Sequence, residues 1–226
     1  MIIKKGAIFI ADSHYNNQRT LLFDFLKKIL SKQIQTTQIF FMGDIFDFLC
    51  DEADYFQDIN YKVIDLINEL SRSIEIIYFE GNHDFSLEDT FPKLNLIPRD
   101  KQPSYLKLGN KKVALSHGDI YTPKSYDIFT SIIRNPYILN FLNLIDFGNF
   151  ISKNIEKKLK QKSICSKQDN FEEFIKNRIE KYNTDLVIEG HFHQGYICDK
   201  YINLPSLACH KEYMLYDGNE FKFIKV

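Results

Sequence analysis

Tryptophan is absent from this chain, glycine and proline are sparse, and neither sign of charge is in excess. Each shortage excludes something. With 9 Gly and 6 Pro in 226 residues there is no collagen-like segment and no Gly- or Pro-rich linker. No internal repeat or low-complexity stretch is visible. The formal net charge is −1, so no overall basic field attracts nucleic acid. No stretch approaches the ~20 apolar residues of a membrane span. Met1 to Ala11 carries Lys4 and Lys5 before a short apolar run, and it lacks the length and cleavage site of a secretory signal. The cysteines, Cys50, Cys165, Cys198 and Cys209, form no C-x-x-C pair and no thiolate zinc spacing. Together these shortages predict a cytoplasmic protein whose cysteines are free thiols.

What is present is an ordinary globular balance, 44% hydrophobic and 26% charged, on a chain long enough for one well-buried domain over 1–226. Lysine far outnumbers arginine, which we read as compositional background. Short runs rich in Ile, Val and Phe predict buried strands at Ala7–Ala11, Gln38–Met42 and Ile74–Phe79. Between them Leu21, Leu22, Phe25, Leu26 and Ile29 recur at helical spacing, as do Val63, Ile64, Ile67 and Leu70. That β-α-β-α-β order implies a parallel sheet covered on both faces. Further strands are predicted at Val113–Ser116, Leu186–Glu189, Tyr196–Cys198, Glu212–Tyr216 and Glu220–Ile224, with Gly218-Asn219 as a hairpin turn. The fold class is α/β, two sheets face to face with helices outside.

One segment breaks the rhythm. From Tyr121 to Tyr182 no strand pattern appears, so 121–182 reads as a helical insertion. Thr122 before Pro123 predicts a helix start, and Pro136 a break that opens a second helix. Large apolar residues crowd the segment, among them Ile132, Phe141 and Phe147, and a lysine-rich stretch follows. Either the apolar groups line a slot for a greasy ligand, or they pack on the domain with the lysines in water.

The chemistry gathers at predicted strand ends. In order come Asp12-Ser13-His14, Gly43-Asp44, Gly81-Asn82-His83-Asp84, Ser116-His117-Gly118-Asp119 and Gly190-His191-Phe192-His193. Ligands of open α/β sheets bind at the carboxyl ends of the strands, so these motifs converge on one rim. Carboxylate, imidazole and amide oxygen suit divalent Mn²⁺, Fe²⁺, Zn²⁺ or Mg²⁺. Each residue has an ordinary reading alone: Asp44 as a turn residue, His117 as a hydrogen-bonded core histidine, His191 and His193 as strand positions. The metal site fails only if all those readings hold together.

The ordered set D-x-H, G-D, G-N-H-D, H-G-D and G-H-x-H resembles the calcineurin-like metallophosphoesterases. The resemblance implies a two-sheet sandwich and a pair of divalent metals, Mn²⁺ being the expected one. It implies one metal on Asp12, His14, Asp44 and His193, and a second on Asp44, Asn82, His117 and His191, with Asp44 shared. His83 would protonate the leaving oxygen or stabilise the transition state, and Asp84 would orient His83 by a hydrogen bond. Asp47 and Asp119 would support the loops.

Within that superfamily the chain is similar to the UDP-2,3-diacylglucosamine diphosphatases. Its length, the Gly43-Asp44-Ile45-Phe46-Asp47-Phe48 stretch and the position of the insertion between H-G-D and G-H-x-H carry this. The similarity implies hydrolysis of a UDP-linked lipid to UMP and 2,3-diacylglucosamine 1-phosphate at a membrane surface, with no nucleic acid and no obligate protein partner. The insertion would act as a lid. Lys124, Lys162, Lys167 and His210 are the candidate substrate contacts. The best-known branch of that family carries Arg where this chain has His83. The alternatives are a phosphodiesterase or nucleotide pyrophosphatase with a soluble substrate, or a scaffold that keeps the fold without catalysis.

Overall fold

The computed structural model describes residues 1–226. A six-stranded sheet runs in the order β11-β10-β1-β2-β3-β4. Its members are β1 (Ala7–Ile10), β2 (Gln38–Phe41), β3 (Glu75–Phe79), β4 (Asn95–Ile97), β10 (Glu212–Tyr216) and β11 (Phe221–Lys225). The first four are parallel, and the last two form an antiparallel hairpin against β1. A second sheet has the order β5-β6-β7-β9-β8, from β5 (Ser104–Leu108), β6 (Lys111–Ser116), β7 (Leu186–Glu189), β8 (Tyr196–Cys198) and β9 (Tyr201–Asn203).

Strand alternation explains how the sheets stack. In β1, Ile8 and Ile10 point outward into a cluster with α1 (Leu21–Leu30) and α2 (Asp54–Leu70). Ala7 and Phe9 point inward and meet Val113, Leu115 and Ile188 of the second sheet. Phe9 stacks on Phe40 of the neighbouring strand, with ring centroids 4.4 Å apart. Each such ring, fully buried, contributes about 1.5–3 kcal/mol. The helical repeat of Leu22, Phe25, Leu26 and Ile29 turns one side of α1 onto the sheet. Outside the second sheet, α6 (Phe171–Ile179) packs Phe171 and Ile175 on Val187 and Tyr201. Buried Arg178 locks α6 in place through Glu189 (Nε to Oε2, 2.7 Å) and the carbonyls of Gly118 and Ile120. The result is the expected two-sheet sandwich with helices outside.

Three short strands carry no signal used in the sequence reading: β4, β5 and β9. Two of them, β4 and β5, lie at sheet edges, and much of each is polar or partly exposed.

The 121–182 segment is helical throughout its ordered elements: α3 (Lys124–Ile133), α4 (Pro136–Ile145), α5 (Phe150–Gln161) and α6. Pro136 does open a helix, with the Asn135 side chain accepting from Tyr137 N at 2.9 Å. The expected Thr122 cap is not formed. Thr122 Oγ1 instead donates to Asp127 and accepts from Arg99, and the helix starts one residue later than expected. The apolar groups of α3 to α5 pack poorly on the domain. Tyr137 is 85% exposed, Phe147 83%, Leu144 75% and Phe150 73%, while Leu139 is buried. No helix is long and apolar enough to cross a membrane.

The cysteines correct one expectation. Cys165 and Cys209 form a disulfide, with Cα atoms 5.5 Å apart, and only Cys50 and Cys198 are free thiols. The pairing joins the stretch after α5 to the short helix α7 (Leu207–His210). A sequence separation of 44 hides it.

Candidate metal centre

The ends of β1, β2, β3, β6 and β7 open onto one rim, and their loops are tied together by backbone. Asp12 N donates to Gly43 O at 3.1 Å and His14 N to Asp44 O at 3.0 Å. Asp12, His14, Asp44, His191 and His193 all adopt positive φ, between 42° and 64°. Such backbone costs on the order of 1–3 kcal/mol per residue and persists only where the surroundings impose it. Here it turns the side chains inward. Gly43 and Gly81 are required for room: a Cβ on Gly43 would collide with the His117 ring, and one on Gly81 with Asp44.

The side chains then cluster. Asp12, His14 and His193 offer ligand atoms within 4.8 Å of one another, as do Asp44, His117 and His191, and His14, Asp44 and His83. His193 Nε2 stands 3.2 Å from Asp12 Oδ1, and His117 Nε2 3.5 Å from Asp44 Oδ1. Asn82 Oδ1 lies 3.3 Å from His117 Nε2. Asp44 thus sits between two groups of donors, and every expected ligand is on the rim.

Backbone carbonyls set the ring orientations. His117 Nδ1 donates to Met42 O at 2.8 Å, and His193 Nδ1 to Ile164 O at 2.7 Å. In each ring this leaves Nε2 free as a lone-pair donor toward the cluster. His14 is the sharpest case. It is buried, its Nδ1 stands 3.5 Å from Asp47 Oδ1, and neither ring nitrogen makes a well-formed hydrogen bond. A poorly paired imidazole in a dry site is costly unless something else accepts its lone pair, and burial outweighs Asp47 and Asp44 to push its pKa down, which keeps a lone pair available. The donor set fits divalent cations.

The electrostatics agree. Burial alone would raise the Asp44 carboxyl, but the imidazoles of His117, His83, His14 and His191 outweigh it and hold it well below the carboxylate range. For His117, burial works downward, yet Asp44, Asp119 and Asp12 push it up to about 9. Burial and His117 bring neighbouring His191 down to about 4. His191 Nδ1 and His117 Nε2 stand 3.2 Å apart, and a cation bound between them would have to displace any proton held there.

The pairing of His83 with Asp84 expected from the sequence is not formed. His83 Nδ1 donates to the Asp47 carbonyl at 2.7 Å. Asp84 turns away into the core, where Oδ1 accepts from Asp44 N and Gly81 N, each at 2.9 Å. Its Oδ2 accepts from Tyr78 OH at 2.6 Å, Phe46 N at 3.2 Å and Ile45 N. Consecutive residues in this tight loop point to opposite sides. Asp84 therefore braces the loop that carries Asp44. Burial and the nearby Asp44 charge raise its carboxyl to about 6.

A cavity of about 170 Å³ lies over the cluster, lined by His14, Asp44, His83 and His191 and, on its outer wall, by Lys162 and Ser166. A larger, open cleft of about 610 Å³, lined by Lys167, Phe171 and Tyr196, lies beyond Gln194 and holds no metal-ligating set. Of the candidate substrate contacts, Lys162 reaches the metal cavity and Lys167 the adjoining cleft. Lys124 is exposed at the start of α3, and His210 sits in α7; neither lines these cavities. Sequence reasoning missed Arg134, whose guanidinium donates to the Gly81 carbonyl, and the carbonyls of Met42, Asp47 and Ile164. Backbone acceptors leave no signal in side-chain identity.

The family described as calcineurin-like phosphoesterase matches residues 7–195. A protein of Vibrio atlanticus called UDP-2,3-diacylglucosamine hydrolase is 26% identical over 199 residues, covering 82% of this chain and 80% of that protein. A Haemophilus influenzae protein of the same name is 27% identical over 207 residues, covering 84% of each. Among solved structures, the Escherichia coli phosphoesterase Yfce superposes with a TM-score of 0.50 at 13% identity, covering 97% of this chain and 92% of that one. With the family match spanning all five motif loops of the rim, the chain belongs to the calcineurin-like phosphoesterases and is a metal-dependent hydrolase.

Proposed function

We propose that this chain hydrolyses the pyrophosphate bond of a UDP-linked, diacylated glucosamine, giving UMP and the 2,3-diacylglucosamine 1-phosphate. The observation that carries the substrate class is the insertion beside the rim. Its α3 to α5 present Phe129, Ile132, Phe141, Leu144, Phe147 and Phe150 outward instead of burying them. Exposed apolar surface on this scale marks a lipid or partner site. The names of the relatives from Vibrio and Haemophilus support the same class. The insertion serves as a lid for acyl chains, and the protein works as a peripheral enzyme at a membrane surface.

In the reaction, water adds across P–O–P: hydroxyl goes to one phosphorus, and the bridging oxygen leaves with the other and takes a proton. Asp12, His14, Asp44 and His193 would hold one divalent cation, and Asp44, Asn82, His117 and His191 a second, with Mn²⁺ the expected ion. Such a pair, when bound, acidifies water and neutralises phosphate charge. His83, its Nδ1–H committed to the Asp47 carbonyl, has only Nε2 left to meet the leaving oxygen and assist its protonation. Lys162, on the cavity wall, balances phosphate charge there.

The test compares two substrates. Ile132→Asp and Phe141→Asp change exposed lid positions, so the fold should tolerate them. A fatty chain held there gains about 0.8 kcal/mol per CH₂, so kcat/KM for the UDP-lipid should fall at least tenfold while a small chromogenic phosphodiester is cleaved as before. Equal losses on both substrates would refute the lid and favour a soluble substrate.

A further inference from the structure

Arg134 lies outside every motif and ligates nothing, yet it joins the insertion to the metal rim. It follows α3 directly, and its side chain turns back toward the core, only 13% exposed. The guanidinium donates through Nη2 to the Gly81 carbonyl. It stands 3.7 Å from Asp119 Oδ2 and lies over the Phe85 ring at 4.9 Å.

Its two polar partners belong to different sheets. Gly81 immediately precedes Asn82 and His83 after β3, and Asp119 follows His117 by two residues after β6. Those loops meet where Asn82 Oδ1 approaches His117 Nε2, at 3.3 Å. The Gly81 peptide is already held on its N–H side by Asp84 Oδ1 at 2.9 Å, so the Arg134 contact fixes its carbonyl side and thereby the start of the Asn82 loop. A second brace, Gln102, links Glu80 O (2.9 Å) to His117 N (2.6 Å) from within the core. Arg134 is the brace that comes from the insertion. Arg99 anchors the other end of α3, bonding Asp119 at 2.8 Å and Asp127 at 2.7 Å. Both contacts are made by Nη2, so one end of the guanidinium faces the carbonyl and the carboxylate together.

We propose that Arg134 is a positioning residue through which the insertion sets the Asn82–His117 half of the metal centre, so that lid placement and the second cation site are coupled. The proposal rests on the two-metal reading above. The Asp12, His14 and His193 side chains lie on other loops, which Arg134 does not touch.

The test is Mn²⁺ calorimetry on the full chain, with kcat and KM for a small phosphodiester and a melting curve in chelator. Arg134→Met keeps an apolar stem over Phe85 and removes the donors; Arg134→Lys restores a charged donor group on a shorter side chain. Wild type should take up two Mn²⁺. Arg134→Met should bind one as wild type does and the other about 10–100-fold more weakly, as loss of a ligand-orienting contact does. Its kcat should fall with KM little changed, and Arg134→Lys should recover part of both losses. If Arg134→Met bound both ions with wild-type affinity, the inference would be overturned while the two-metal reading stood. Equal weakening of both sites with a lowered melting temperature would also overturn it, since Arg134 would then be general scaffolding. A wild type that takes up fewer than two Mn²⁺ would remove the two-metal reading and the inference together.

Discussion

Replacing Asp84 by Asn tests whether this residue braces the Asp44 loop or orients His83. The carboxylate is fully buried and accepts from five donors: Asp44 N and Gly81 N on Oδ1, and Tyr78 OH, Phe46 N and Ile45 N on Oδ2. An amide keeps one acceptor oxygen and turns the other into a donor. Whichever oxygen is lost, at least two donors face an NH₂ group. A hydrogen bond to a charged acceptor is worth about 1.5–3 kcal/mol, so two lost bonds cost about 3–6 kcal/mol. That is a large share of the ~5–15 kcal/mol margin of an ordinary domain. Asp44, Ile45 and Phe46 supply three of the five donors, so the loss loosens the loop that carries the ligand shared by both cation sites. Urea unfolding of the metal-free protein should show a deficit of at least about 3 kcal/mol. Calorimetry should show weakened Mn²⁺ uptake at both sites. A folded Asp84→Asn protein with wild-type stability and metal affinity, but a reduced kcat, would refute this and restore Asp84 as the partner of His83.

Two further outcomes are expected. His83→Ala should keep both Mn²⁺ ions by elemental analysis and lose about 10²–10⁴ in kcat, the usual worth of a proton-transferring group; wild-type turnover would remove His83 from the chemistry. Asp44→Ala should abolish hydrolysis and lower the bound metal from two ions toward none, because both groups of donors lose their shared carboxylate; a variant that retains two tightly bound ions would contradict the bridging role.

Most of the rim was legible before the fold was known. The candidate metal ligands follow strands that are recognisable as short apolar runs, and parallel strands must open their carboxyl ends to one side. Order and spacing therefore brought Asp12, Asp44, Asn82, His117 and His191 to one edge without any tertiary detail. The helical insertion was legible for the same kind of reason, a long stretch with helical starts and no alternation. Whether its apolar groups were buried was not legible, because periodicity reports that a helix has an apolar side and is silent about what covers it. The exposure of Tyr137, Leu144, Phe147 and Phe150 decided that.

What the sequence by itself determined is the inventory of candidate ligands and the strand ends that present them. Only the tertiary structure decided who holds whom. Asp84 is next to His83 in the chain, yet the loop turns them apart, so adjacency suggested the wrong partner. The rings of His117 and His193 are oriented by carbonyls of Met42 and Ile164, groups that every residue type possesses. Cys165 after α5 meets Cys209 in α7 across a sequence separation of 44, and the expectation of free thiols had no means of seeing that contact. Arg134 bridges two sheets from a third element. These contacts join positions distant in sequence through backbone atoms or single side chains. They follow from how the sheets and the insertion stack, which local residue pattern does not encode.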